Sequence, residues 1–369
     1  MTTSTPVVAI VYHRPQRAAE LLATLREARP RTLFLVADGP RAGDDEDAER
    51  CRATRAVAAK IDWPCDVVVD FADENLGCAR RIVSALDRVF SQADRAIVLE
   101  DDVRAAPSFF TFCDAMLERY ADDERVMHVD GTNRLGEWRP DVHDYHFARH
   151  GNVWGWATWA RAWATYDATL NRYRTPAARA AIAAHAVDPA QAALMAWFLD
   201  DDIAALADEW DYQWSLARYA TGGLTVVPAR NLTTNVGFGP DATHTMHADE
   251  LAATTRASSL DPPFTGPTDV TADADLDREL LRFERLRSLR EATVPSLLVR
   301  AMADPRVRDR LAPNPAVANA LAALDDPDAA LALLRTSART GAPSPTRDRL
   351  IAEFERLQAT LGRASVTRS

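Results

Sequence analysis

The sequence predicts an α/β protein, with a mostly parallel sheet flanked by helices and a helical C-terminal appendage. Three observations predict it. Short β-branched runs alternate with helical patterns through the first third of the chain. Three consecutive acids, Glu100, Asp101 and Asp102, follow directly on one of those runs, where a strand leaves the core. The last third is rich in Ala, Leu and Arg and is interrupted by prolines.

The expected strands are Val7 to Tyr12, Thr32 to Asp38, Cys65 to Phe71 and Arg95 to Asp102. Their near-continuous apolar character suits parallel strands covered on both faces. Between the third and fourth, Ile82, Leu86 and Val89 recur at spacings of four and three, which places them on one helical stripe facing the sheet. Pro107 sits where a missing N–H is harmless at a helix start, and Phe109, Cys113, Leu117 and Tyr120 mark the buried side of that helix. Val126 to Gly131 reads as another strand. Trp138, Trp154, Trp156, Trp159 and Trp163 then fall within 26 residues, a compact aromatic cluster that is either core or the wall of a pocket. A helix is expected to run to about Trp210, with Met195, Leu199, Ile203, Leu206 and Trp210 on one side. The segment GGLTVVPARNLTTNVGFGPDATHT reads as a turn, a strand and a Gly-rich loop. Beyond it come short helices broken at prolines 262, 263, 267, 295 and 305.

Composition narrows the function. With 43 Lys and Arg against 54 Asp and Glu, the net charge of −11 argues against indiscriminate nucleic-acid binding. The start of the chain lacks a basic, long-apolar signal segment, and no apolar run approaches the roughly 20 residues that span a bilayer. The four cysteines form no C-x-x-C pair and are expected to be free, mostly buried thiols in a reducing cytoplasm, without zinc. The expectation is a cytoplasmic protein, with peripheral contact at the inner membrane face left open. GxGxxG at a strand end, GxxxxGK[ST], GxSxG and HExxH are all absent.

Four clusters carry chemistry. Side chains alternate along a strand, so Glu100, Asp101 and Asp102 cannot all enter the core and must emerge at the carboxyl end of the strand, where open α/β sheets bind ligands. Adjacent carboxylates there suit Mg²⁺ or Mn²⁺ bridging a diphosphate, or else form a solvated acidic turn before a helix. Asn75, Leu76 and Gly77, with Arg80 and Arg81, stand at a loop-to-helix junction that could receive phosphate, or serve as an ordinary cap. Glu209 and Asp211 lie among Trp210, Tyr212 and Trp214, a setting for a proton acceptor or for charge at a helix end. His244 and His247 follow the Gly-rich loop, as a metal ligand or as surface histidines.

Taken in order, the HRP after the first strand, ADGP after the second, NLG-CARRI, VLEDDV with APSFF behind it, NVWGWATW, EWDYQW and NLTTNVGFGPDATHT resemble the GT-A (Rossmann-like) glycosyltransferases. They are especially similar to the bacterial hemolysin-activation-like sugar transferases, and more distantly to the N-acetylglucosaminyltransferases of the hybrid N-glycan pathway. The resemblance covers about residues 5–250. It implies a transferase domain over 1–250, with a donor half of about 1–131 and an acceptor half of about 132–250; the region 251–369 matches no family, and its composition predicts a helical, partly flexible appendage. The resemblance also implies an inverting, metal-dependent transfer of a sugar from a nucleotide-diphosphate donor, UDP-linked, to a saccharide or other hydroxyl acceptor. Asp102 is then the metal ligand, with His244 as a late histidine ligand, and Asp101 stands near the sugar or ribose. Arg14 matches the family's arginine after the first strand, and Asp38 the acid that recognises the base. Arg80 or Arg81 is the phosphate-side arginine, and the loop Gly237–Gly239 closes over the diphosphate. The family's W-D-D-W segment appears here with one extra residue and without its second acid, making Asp211 the preferred base and Glu209 its rival. The alternatives are a noncatalytic nucleotide-sugar or glycan-binding protein and a sugar-nucleotide nucleotidyltransferase. The latter needs an early Gly-rich loop and lysine that HRPQRA does not offer.

Overall fold

The structure is a computed structural model that describes residues 3–200, 210–237 and 255–288. Its first half is built as the sequence predicts. Strands β1 (Val7–Val11), β2 (Thr32–Ala37), β3 (Asp66–Phe71) and β4 (Arg95–Glu100) run parallel in the order β3-β2-β1-β4. Helices α1 (Pro15–Ala28), α2 (Asp45–Arg55) and α3 (Cys78–Phe90) form the crossovers. Central β1 is buried along its whole length, which is why it reads as an unbroken apolar run. In α3, the stripe of Ile82, Leu86 and Val89 is buried as its spacing requires.

The strand order reverses between β1 and β4, since β2 and β3 extend to one side of β1 and every later strand of the sheet to the other. The carboxyl ends of β1 and β4 therefore flank a topological switch point, the general location of a ligand crevice in open α/β sheets.

The second half completes a mixed sheet. After β5 (Val103–Ala105) and α4 (Pro107–Arg119) come β6 (Val126–Asp130), β7 (Tyr145–Ala148), β8 (Trp156–Trp159) and the single-turn α5 (Ala160–Trp163). Then follow α6 (Pro176–His185), α7 (Pro189–Asp200), α8 (Asp211–Thr221), β9 (Leu224–Pro228), β10 (Thr233–Asn235) and α9 (Ala274–Ser288). The full order is β3-β2-β1-β4-β8-β6-β9-β7, with β8 antiparallel to both β4 and β6. The strand beside β4 thus comes from the tryptophan-rich segment. Strand β10 pairs with β5 in a separate two-stranded ribbon.

The long helix expected up to Trp210 is interrupted. Helix α7 ends at Asp200, Ile203 and Leu206 lie outside the described residues, and Trp210 is the N-cap of the next helix, α8. The aromatic cluster is core in its second half, and Trp154 packs against that core with partial exposure. Trp156, Trp159 and Trp163 are core, whereas Trp138 and Trp154 keep partial exposure. Trp156 stacks on Trp210 at 5.5 Å and on the His128 ring at 5.0 Å. Trp214 Nε1 donates to His128 Nδ1 at 3.1 Å, and His128 Nε2 lies 2.8 Å from the Asn152 carbonyl. These two contacts fix a neutral ring with its hydrogen on Nε2, and burial correspondingly lowers the His128 pKa.

The chain divides into two compact units, Met1–His185 with Asp202–Asp277, and Ala186–Asp201 with Arg278–Ser369. The eight-stranded sheet belongs to the first. In the second, Arg285 grips Asp188 through both oxygens, at 2.6 and 2.7 Å. Of the four cysteines, Cys51 and Cys113 are buried, Cys65 and Cys78 are half-buried, and all are free thiols. Among the described residues no helix is long and apolar enough to cross a membrane.

Candidate functional site

Strand β4 ends at Glu100, and Asp101 and Asp102 form the turn that follows. Arg14, three residues past the end of β1, reaches across the switch point to this turn. Its Nη2 pairs with Asp101 Oδ1 in a very short contact, its Nε lies 3.4 Å from Asp101 Oδ2, and both terminal nitrogens lie 3.4 Å from Asp102 Oδ2. Asp101 is 1% exposed, whereas the Asp102 side chain keeps 16%. One guanidinium thus pairs with two of three successive carboxylates, and burial leaves the acids short of compensating charge. Desolvation pushes Asp101 up to about 6 despite Arg14. Desolvation also raises Glu100, with the charges of Asp102 and Asp101 adding to the rise.

The β5–β10 ribbon brings the NLTTNVG segment over this turn. Val236 N donates to the Asp102 carbonyl at 2.8 Å, and Arg17 Nη2 donates to the Val236 carbonyl at 3.0 Å. A Cβ at Gly237 would overlap the Asp102 carboxylate, so only bare backbone fits there. Phe238 and Gly239, the rest of the expected closing loop, lie outside the described residues.

The loop after β3 is tied to the end of β2. Asp38, 6% exposed, accepts from Gly39 N at 2.8 Å, Leu76 N at 2.9 Å, Gly77 N at 3.1 Å and Asn75 Nδ2 at 3.1 Å. Gly77 is the N-cap of α3 and has φ 80°, a left-handed conformation that side-chain-bearing residues avoid. The anion at this helix start is therefore the protein's own Asp38 carboxylate. The two arginines that follow separate cleanly. Arg81 is buried, donating to the carbonyls of Ala37 at 3.1 Å and Asp70 at 2.6 Å and pairing with the Asp70 carboxylate at 3.1 Å. Arg80 is exposed on the first turn of α3.

Asp211 is the first residue of α8, half-exposed, with Oδ1 accepting from Tyr212 N at 3.1 Å. Its charge contributes to raising Glu100, so the helix start and the acidic turn share one electrostatic neighbourhood. It is flanked by buried Trp210 and Trp214. Glu209, His244 and His247 lie outside the described residues. Among the described residues no three His, Cys, Asp or Glu side chains converge as a metal-binding group. The donor chemistry at Asp102 nevertheless fits a hard cation: the carboxylate is partly exposed and shares one guanidinium with the acid before it. Such ions are commonly held by one or two carboxylates together with substrate phosphates.

Sequence reasoning missed a further cluster at the ends of β1 and β2, formed by Tyr12, His13, Arg41 and Asp47. Its acid lies in DDED at the start of α2, which reads as ordinary charge at a helix N-terminus and gives no sign of its distant partners.

No family model matches the chain, and no curated protein does. Solved structures with some likeness include a UDP-glucose pyrophosphorylase complexed with UDP-glucose, at 6% identity and TM-score 0.24 over 41% of this chain and 64% of that one. Glucosyl-3-phosphoglycerate synthase from Mycobacterium tuberculosis, in complex with Mn²⁺, UDP and phosphoglyceric acid, is 14% identical with TM-score 0.24 over 43% and 56%. The inositol-1-phosphate CTP transferase from T. maritima is 12% identical with TM-score 0.32 over 70% and 100%. The chain thus spans less than two thirds of the length of the first two. At these scores the likenesses carry no argument about this chain, and the topology and site geometry stand by themselves: a Rossmann-like mixed sheet with a cluster of charged side chains at its switch point.

Proposed function

We propose that the chain is a nucleotide-sugar enzyme that transfers the sugar of a nucleotide-diphosphate donor, UDP-linked, to a hydroxyl acceptor with inversion. The observation that carries this reading is the meeting of Arg14, Asp101 and Asp102 at the β1/β4 switch point, with Asp211 within electrostatic reach of Glu100. Mn²⁺ or Mg²⁺ held at Asp102, with His244 as a second protein ligand, would offset the charge that develops on the leaving diphosphate. Arg14 orients both aspartates, and Asp101 faces the sugar or ribose side. Of the two candidate arginines, exposed Arg80 supplies the phosphate contact and Arg81 holds the ends of β2 and β3 together. Asp211 accepts the proton of the attacking hydroxyl, with Glu209 as the rival base. The donor half is 1–131 and the acceptor half 132–250, with half-open Trp138 and Trp154 on the acceptor side.

A second reading is nucleotide-sugar binding without transfer, or assembly of a sugar nucleotide by nucleotidyl transfer. The observation in its favour is that Asp101 and Asp102 are already paired with Arg14 and no larger metal-binding group converges among the described residues. Against nucleotidyl transfer, the only lysine of the chain, Lys60, lies on the turn after α2, and the loop after β1 contains no glycine.

The test is calorimetry with UDP-, GDP- and dTDP-sugars, each with Mn²⁺ and with EDTA, followed by transfer assays. Metal-dependent donor binding lost in D102A, with D211N binding donor normally but transferring slowly, supports the first reading. Slow transfer in E209Q with fast D211N moves the base to Glu209. Donor binding without turnover supports the binding protein, and pyrophosphate release from a nucleoside triphosphate and a sugar phosphate supports nucleotidyl transfer.

A further inference from the structure

Asp47, in the first turn of α2 and 2% exposed, gathers donors from two separate loops. It accepts from Tyr12 Oη at 2.8 Å, from Arg41 N at 2.8 Å and from Arg41 Nη2 at 2.9 Å, and its Oδ1 lies 2.6 Å from His13 Nδ1. Against its desolvation, these hydrogen bonds hold the Asp47 carboxyl well below the usual carboxylate range. It is therefore an acceptor only, and His13 Nδ1 must carry the hydrogen of their contact. Burial lowers the His13 pKa, so at neutral pH the ring is uncharged and Nε2 is a bare acceptor. Nε2 makes no hydrogen bond to a described residue, and the His13 side chain keeps 16% exposure. Tyr12 stacks on the ring at 4.1 Å, and Arg50 Nε holds the His13 carbonyl at 3.1 Å, fixing its position from both sides. Beside it the Arg41 side chain is 56% exposed.

His13 and Arg14 diverge from one loop. Arg14 turns to the end of β4, and His13 turns to α2 on the β2 side. Strands pack about 4.8 Å apart, so the two sides of β1 are separated by about 10 Å, a span that a nucleoside covers between base and diphosphate. Asp38, the acid that the family resemblance would assign to the base, already receives four donors from its own loops.

We propose that His13 and Arg41 read the nucleotide base, His13 Nε2 accepting the ring N–H of a keto base (uracil, thymine or guanine) and Arg41 donating to the adjacent carbonyl oxygen. Asp47 is the positioning residue that fixes the histidine tautomer and the arginine beside it. Adenine and cytosine present a ring lone pair where the keto bases present N–H, and that lone pair would face the one on Nε2. The inference rests on the nucleotide-sugar reading and deepens it.

The full chain is titrated by calorimetry with UDP, dTDP, GDP, CDP and ADP in the presence of Mn²⁺, and then with N3-methyl-UDP and N1-methyl-GDP. The expected result is a preference of about tenfold or more for a keto base, and a similar loss when its ring nitrogen is methylated. In His13→Phe the methylated and unmethylated forms bind alike, and Asp47→Asn narrows the difference between them. Equal binding of methylated and unmethylated nucleotide by the unmodified chain overturns the proposal without needing any variant. So does a preference for CDP or ADP, or discrimination that persists in His13→Phe. A chain that binds nucleotides without discriminating loses only this inference, whereas a chain that binds none of the five loses the nucleotide-sugar reading as well.

Discussion

Asp101 makes the energetics of the site measurable without knowing any substrate. Its carboxyl is raised to about 6 from an ordinary 3.8, because desolvation outweighs the attraction of Arg14. Below about pH 3 the group is protonated in both folded and unfolded chains, and its contribution to stability is fully present. As pH rises from about 3 toward 6 the unfolded chain ionises first, so folded stability is progressively lost. The loss saturates once pH passes the folded-state value. With 1.36 kcal/mol per pKa unit, the difference corresponds to about 3 kcal/mol. Asp101→Asn removes this titration while keeping the side-chain volume. It also relieves Glu100 of a like charge, which acts in the same direction. The stability of the unmodified chain minus that of Asp101→Asn should therefore fall by about 3 kcal/mol between pH 3 and pH 7. Urea unfolding followed by tryptophan fluorescence at constant ionic strength measures it. Parallel stability curves across that range would refute the claim that this carboxyl is desolvated beyond what Arg14 compensates.

Arg81→Met should destabilise the fold by about 1–3 kcal/mol, because it removes a buried donor from the Ala37 and Asp70 carbonyls and leaves the Asp70 carboxylate with Arg88 alone. Arg80→Ala should change stability by less than about 0.5 kcal/mol while weakening donor binding roughly tenfold. Denaturation and calorimetry on the same two variants separate the roles. Gly237→Ala should displace the Asp102 carboxylate and reduce metal-dependent donor binding by about tenfold or more, with only a modest loss of stability. Unchanged donor binding would mean that the ribbon does not constrain that carboxylate. Trp214→Phe removes the donor to buried His128 and should destabilise the chain by about 1–3 kcal/mol, seen as a lower midpoint in thermal unfolding.

The parallel half of the sheet was legible because its strands are covered on both faces and their runs show it directly, as in Val7–Val11 and Arg95–Glu100. The emergence of Glu100, Asp101 and Asp102 at a strand end was legible for the same reason, since consecutive carboxylates cannot follow an alternating backbone into the core. The position of β8 was not, because Trp156–Trp159 carries no local mark that it will lie antiparallel between β4 and β6. The roles of Arg80 and Arg81 were equally closed to sequence reasoning. The two residues are adjacent and identical in chemistry, and only the direction of the helix relative to β2 and β3 buries one and exposes the other.

By itself, the sequence determined the order of the first strands and helices, the acidic turn after β4 and the apolar stripes that cover the sheet. These depend on local periodicity, which a single segment carries in full. Tertiary structure decided what each charge meets. Arg14 finds Asp101 across 87 positions, Asp38 takes the amides of a loop 38 positions away, and Asp47 gathers Tyr12 and His13 from more than 30 positions before it. A hydrogen-bond partner is set by where the strand ends converge in space, and that convergence depends on the sheet order rather than on any pattern within one segment.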